Sequence, residues 1–199
     1  MKMSTRVGWL CCGLGLALGA NQARAQADPP KAQPAPKAKA EAPKANAAGA
    51  DATFVREAAT AGMAEVELGR LGVQKATRAE VKSFAQMMVD DHGKANQELE
   101  SLASGKQLTV PGEPKPDQKA EKARLEKLSG ASFDDAFMKT MAKDHQKAVG
   151  LFSKQASSGS DAELKSWAQQ KLPTIKEHLA KAQELANGKA AAGAKHEHN

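Results

Sequence analysis

Residues 84–95, FAQMMVDDHGKA, return 53 positions later as residues 137–148, FMKTMAKDHQKA. Both copies carry Phe, then Met four residues on, then Asp-His at seven and eight, then Lys-Ala. Steps of four, four and three hold Phe84, Met88, His92 and Ala95 on one face of an α-helix, because a helix turns once in about 3.6 residues. Phe137, Met141, His145 and Ala148 share a face in the same way. Each copy therefore sets one histidine into an otherwise apolar seam, which predicts two long amphipathic helices with an inward imidazole on each.

Working outward, the spacing predicts a first helix over about 53–76, with Phe54, Ala58, Ala61, Glu65, Leu68 and Gly72 on one stripe that Glu65 alone interrupts. The second helix opens on Thr77-Arg78-Ala79-Glu80, which has the form of a capping box, and runs to about Ser104 with Val81, Leu99 and Leu102 extending its seam. Gly112 and prolines 111, 114 and 116 break the chain, and residues 117–128 read as a short, charged helix. A third long helix should start at Ser132, again with an acid three residues on, and add Phe133 and Phe152 to the inward face. The fourth should start at Ser160 and reach Asn187, with Leu164, Trp167, Ile175, His178, Ala182 and Leu185 inward. Pro173 inside it predicts a kink near residues 169–172, or two collinear helices. The expected fold is all-α: a ferritin-like antiparallel four-helix bundle with a short extra helix in the crossover between its second and third helices.

Composition sets the boundaries. Aromatics make up 4% of the chain and Tyr is absent, so the core must be Leu, Val, Met, Ala and a few Phe. The formal charge of +6 lies outside the expected domain, because residues 51–187 hold 20 Lys/Arg against 20 Asp/Glu. A nucleic-acid binder carries its positive charge on a folded face, so no nucleic-acid partner is expected. Residues 1–25 read as a secretory signal peptide: Lys2 and Arg6 precede an apolar run, and Ala23-Arg24-Ala25 offers small residues for cleavage. Cys11 and Cys12 leave with it, so the mature chain has no thiol and no transmembrane segment. Residues 26–50, rich in Ala, Pro and Lys, read as a disordered spacer able to make weak contact with anionic envelope polymers or lipids. Residues 188–199 read as a disordered tail. The expected location is periplasmic or secreted.

The four inward polar residues fall at similar heights. At about 1.5 Å per residue, Glu65 lies about 18 Å up the first helix and His92 about 13 Å up the second, whereas His145 and His178 lie about 21 and 27 Å from the turn joining the last two. Three imidazoles and a carboxylate suit Zn, Cu or Fe, and Glu65, His92, His145 and His178 are the candidate ligands of a single transition-metal ion. The Glu-x-x-His spacing of di-iron bundles is missing, since Val89, Ala142 and Ile175 stand three before the histidines. The competing reading is metal-free, with a buried Glu65 hydrogen-bonded to a protonated histidine. Asp91 and Asp144 either orient a neighbouring imidazole or are solvated helix charges, and Met88 and Met141 read as packing residues.

The runs GMAEVELG (62–69), FAQMMVDDH (84–92), FDDAFMKTMAKDH (133–145) and LPTIKEHL (172–179) together resemble a bacterial envelope family, domain of unknown function 4142, over about residues 52–187. The resemblance implies a ferritin-like fold and an envelope location, and Glu65, His92, His145 and His178 fall in its recurrent motifs. It implies no reaction. Three classes of function follow: a metal-binding or metal-sensing bundle, a redox metalloenzyme, and a metal-free interaction or envelope-stress module.

Overall fold

The computed structural model describes residues 45–188. The expected signal peptide, the spacer as far as residue 44 and the tail from residue 189 lie outside the described residues. Those described are all-helical, with α1 at Ala45–Lys75, α2 at Ala79–Ser104, α3 at Pro116–Glu126, α4 at Gly130–Ser158 and α5 at Ala162–Ala186. None of these helices is long and apolar enough to cross a membrane. α1 begins at Ala45, inside the stretch whose composition reads as spacer, because the alanine-rich run before Phe54 is itself a strong helix former and extends a helix anchored by buried Phe54 and Val55. α5 is one helix with Pro173 inside it.

Contacts at the two ends fix the helix directions. At one end Thr77 and Arg78, between α1 and α2, meet Asp134 at the start of α4, and the Arg78 guanidinium donates to the Leu185 carbonyl at the end of α5. At the other end Asp51, near the start of α1, meets Ser160 and Asp161 between α4 and α5. α1 and α2 therefore form one helical hairpin and α4 and α5 another, and α1 packs on α4 while α2 packs on α5. The short α3 returns the chain along the outside of α1, where Lys115 pairs with Glu57 and Lys122 with Glu67. Close approach within the first hairpin requires glycine: a Cβ on Gly69 would stand 2.8 Å from the Ala85 carbonyl oxygen.

The helix starts differ from the expected caps. Thr77 and Glu80 do not form a box on α2; the buried Asp134 takes the Thr77 amide at 3.0 Å, the Thr77 hydroxyl at 2.7 Å and the Arg78 amide at 2.8 Å. Asp51 does the same for the second hairpin, accepting from the Ser160 amide at 3.2 Å, the Asp161 amide at 2.8 Å and Gln155 Nε2 at 2.8 Å. The cap of α5 is Asp161 rather than Ser160, accepting from the amides of Glu163 and Leu164. Helix α4 starts at Gly130, two residues before the expected Ser132, with no side-chain cap. In each hairpin a carboxylate from the other hairpin satisfies the amides that a tight turn leaves unpaired. A two-oxygen acceptor collects several donors at once, which a local hydroxyl cannot do.

The interior divides into two apolar clusters. One gathers Leu68, Phe84, Met88, Phe137, Met141 and Ala182, and the other gathers Phe54, Leu99, Phe152, Trp167 and Ile175. On each long helix the inward polar residue falls between the two: Glu65 before Leu68, His92 after Met88, His145 after Met141, His178 between Ile175 and Ala182. A buried polar layer thus separates two greasy ones.

Removing the tertiary cap tests this account. Asp134→Ala leaves the Thr77 and Arg78 amides without their acceptor and should cost about 3 kcal/mol in denaturant unfolding, since each hydrogen bond to a charged group contributes about 1.5–3 kcal/mol. Glu80→Ala, on an exposed residue, should change stability by less than about 0.5 kcal/mol. A loss of about 1 kcal/mol at Glu80, typical of a broken local cap, would restore the capping-box reading.

Candidate metal centre

Each of the four inward residues is buried because the apolar stripe of its helix faces the other helices, and Glu65, His92, His145 and His178 are 3%, 8%, 0% and 3% exposed. The three imidazoles converge. Their ring centroids form an equilateral triangle with sides of 5.4, 5.4 and 5.4 Å, and one ligand nitrogen from each lies within 4.8 Å of the other two. Phe84, which precedes His92 on the same face of α2, packs edge-on against His145 and His178 at 6.4 and 6.5 Å and limits how these rings can turn.

The far nitrogen of each ring has an oxygen beside it. His92 Nδ1 lies 3.1 Å from Glu65 Oε2, His145 Nδ1 lies 2.9 Å from the Met141 carbonyl, and His178 Nε2 lies 3.0 Å from Asp91 Oδ2. For His145 and His178 an N–H on those atoms leaves the lone pair on the opposite nitrogen, and for His92 the same holds when Glu65 is ionised. With Glu65 ionised, the free lone pairs are His92 Nε2, His145 Nε2 and His178 Nδ1. The first two face each other at 3.3 Å, and the third is buried without any hydrogen-bond partner. Two lone pairs so placed repel unless a proton or a cation lies between them. A tetrahedral ion with metal–nitrogen bonds of about 2.0–2.1 Å sets its ligand nitrogens about 3.3–3.4 Å apart, which the His92–His145 separation meets without movement.

The Glu65 carboxylate lies beside two of the three rings. Its Oε2 serves the back of His92, its Oε1 lies 3.5 Å from His145 Nδ1 and is otherwise unpaired, and the converging set is the three histidines. Asp91 does reach an imidazole, that of His178 on α5 rather than His92 on its own helix. Asp144 instead pairs with exposed Lys147 at 3.0 Å. The Met141 carbonyl has no signal in the sequence, since a backbone oxygen that accepts from a side chain four residues on leaves no mark in composition or spacing.

Burial sets the protonation states. Desolvation holds His92 down to about 4, with Asp91 only partly opposing it. Desolvation lowers His145 against the pull of Glu65, and lowers His178 with a further push from His92. Glu65 is driven up to about 7 by burial, against the attraction of His145. Neutral imidazoles are the form that can donate to a metal, and the same shifts disfavour a Glu65–imidazolium pair as the resting state.

A stability measurement follows with a definite sign. A carboxyl whose folded pKa exceeds its unfolded value contributes most below about 4.5 and loses that contribution as pH rises through about 7. Glu65→Gln keeps the neutral shape and removes this titration. In metal-free protein, the variant's stability relative to wild type should therefore improve by about 3 kcal/mol between pH 4.5 and 8.5, because a tenfold difference in proton affinity between folded and unfolded chains is worth about 1.4 kcal/mol. A difference independent of pH would mean that Glu65 is ionised throughout.

Several solved structures have a similar helical fold. A DUF305 fragment from Deinococcus radiodurans matches with a TM-score of 0.62 at 16% identity, covering 70% of this chain and 96% of that one. A putative secreted DUF305 protein from Streptomyces coelicolor matches with a TM-score of 0.62 at 16% identity, covering 75% and 98%. CopM in its Cu(II)-bound form matches with a TM-score of 0.60 at 16% identity, covering 69% and 96%. Identity at this level establishes a shared helical fold alone. No curated protein matches the chain. The sequence model described as "Domain of unknown function (DUF4142)" matches residues 35–185, three-quarters of the chain, and the protein belongs to that family.

Proposed function

We propose that the protein is an exported, ferritin-like helical bundle that binds one transition-metal ion, Zn, Cu or Fe, through His92 Nε2, His145 Nε2 and His178 Nδ1. Glu65, the Met141 carbonyl and Asp91 fix the three tautomers from behind, the arrangement by which buried acceptors orient metal-ligating imidazoles. The observation that carries the reading is the triangle of buried rings whose three free lone pairs point inward, one of them with no partner. Copper is the ion to try first, because CopM, similar in fold, is described in Cu(II)-bound and Cu(I)-bound forms. Residues 1–25 direct export, the spacer separates the bundle from the envelope surface, and residues 51–187 carry the binding function. A bound ion would hold two helical hairpins together at mid-height, so occupancy would be read out as rigidity of the bundle.

Melting the mature protein with chelator and with excess Zn(II), Cu(II), Cu(I) or Fe(II) tests the proposal. A ligand bound only by the folded state at about 100 times its dissociation constant adds about 2.7 kcal/mol, and wild type should show a stabilisation of this size with at least one ion. His145→Ala, lacking one of three ligands, should lose most of that increment while still melting cooperatively. A wild type indifferent to all four ions, with no metal retained on elemental analysis, overturns the reading.

A further inference from the structure

Beyond the polar layer, on the side of Phe152 and Trp167, the bundle holds a cavity of about 220 Å³ lined from all four long helices. Helices α4 and α5 contribute Leu151, Phe152, Trp167 and Ile175 to it, and α1 and α2 contribute Ala58, Ala61, Gly62 and Ala95. Ala95 and Ala148, which stand three residues after the two histidines in the echoed segments, both line it, and their short side chains leave the space open. Interiors packed to ordinary density leave few voids larger than a water. An apolar cavity of about 150 Å³ stays dry and takes up benzene, so this one has room for a six-membered ring with a short substituent.

The walls indicate the class of guest. The Phe152 and Trp167 rings stand 5.5 Å apart and tilted by 42°, so a third ring can meet them edge-on or offset, the arrangements that aromatic groups prefer. Trp167 Nε1 donates to Glu98 Oε2 at 3.0 Å, which leaves the indole only its carbon surface to offer. The charged groups of the lining have partners or water. Asp91 accepts from His178 Nε2 at 3.0 Å, Lys171 pairs with Glu98 at 2.5 Å, Glu65 lies 3.1 Å from His92, and Lys94 is exposed at the rim. Asn96 and Thr174 add an amide and a hydroxyl, both uncharged and both able to donate and accept. A charged head drawn into this space would lose its water for groups already paired, and burying a charge without a partner is costly.

We infer that this cavity is a binding site for a small uncharged aromatic molecule with one hydroxyl group, a simple phenol in chemical class. Its ring lies against Phe152 and Trp167, and its hydroxyl meets the Asn96 amide. The site is separate from the converging nitrogens, since His145 does not line it and His178 Nδ1 is buried away from it, so it needs no ion. No bond in the guest forms or breaks. A guest held by residues of all four long helices stabilises the half of the bundle that the polar layer divides from Phe84 and Phe137.

Chelator-treated mature protein is titrated with p-cresol by calorimetry, and nitrogen–proton correlation spectra follow the indole N–H of Trp167, the one tryptophan after residue 25. The Trp167 signal should move saturably and the melting temperature should rise. p-Toluate and 4-methylbenzylamine, of similar shape but charged, should bind about tenfold or more weakly, a difference of about 1.4 kcal/mol. Ala95→Leu and Ala148→Leu fill the cavity from two helices, and each variant that still melts cooperatively should bind p-cresol about tenfold or more weakly. Asn96→Ala should weaken p-cresol and leave toluene unchanged. A Trp167 signal indifferent to p-cresol overturns the inference, as does undiminished binding by a folded filled variant. Equal binding of either charged analogue overturns the uncharged class, and equal loss of p-cresol and toluene in Asn96→Ala overturns the hydrogen bond to the hydroxyl.

Discussion

Four buried polar side chains at one height impose the constraint on which the bundle depends. A polar group taken out of water without a partner costs about 1–3 kcal/mol by mutational measures, and this core holds Glu65 and three imidazoles side by side between two apolar clusters. The protein meets part of that demand internally, with one oxygen beside each ring. It leaves three lone pairs converging, and helix packing must hold them there.

Register is what holds them. A helix that slid by one residue would advance about 1.5 Å and turn about 100°, taking its histidine out of the triangle. The two buried aspartates prevent this, because Asp134 binds the first hairpin's turn and Asp51 binds the second's. Each hairpin is thus clamped by the other at opposite ends, and the polar layer lies between the clamps. The aspartates carry no chemistry of their own at the metal centre, yet the ring separations depend on them.

How far the sequence is readable follows from which forces leave a periodic trace. Apolar spacing at three and four places Phe84, Met88, His92, Phe137, Met141 and His145 on inward faces, and all are buried, because burial repeats with the helix. Rise per residue is enough to bring Glu65, His92, His145 and His178 to one level. The caps escape such a reading because a tertiary acceptor 57 residues away competes with a local hydroxyl, and no local pattern records it. An inward stripe groups Glu65 with the three histidines; which side of a ring a carboxylate occupies depends on side-chain torsions that spacing does not encode. The echo between α2 and α4 is also not a packing pair, since α2 packs chiefly with α1 and α5, and α4 with α5 and α1. Sequence similarity marks equivalent faces, and tertiary contacts decide which faces meet.

The contrast between the ends of the bundle and its middle bears on what the middle is for. Asp51 and Asp134 are as deeply buried as the histidines, at 5% and 0% exposure, and their carboxylate oxygens collect the donors of both turns. The same chain could have satisfied its central imidazoles by one more serine or asparagine on a facing helix, at the cost of little volume. Instead His178 Nδ1 is orphaned, and His92 Nε2 and His145 Nε2 oppose each other at 3.3 Å, a distance that suits a tetrahedral ion and poorly suits two neutral acceptors. With Glu65 ionised, a proton between the two rings requires an imidazolium, which burial disfavours; with Glu65 protonated and donating to His92 Nδ1, a neutral His92 donates from Nε2 to His145. A divalent cation would relieve the opposition at neutral pH by using all three lone pairs at once, and would draw the Glu65 carboxyl toward its ionised form. On the proposed function, the middle of the bundle would serve a positive ion as its ends serve the amides of the turns.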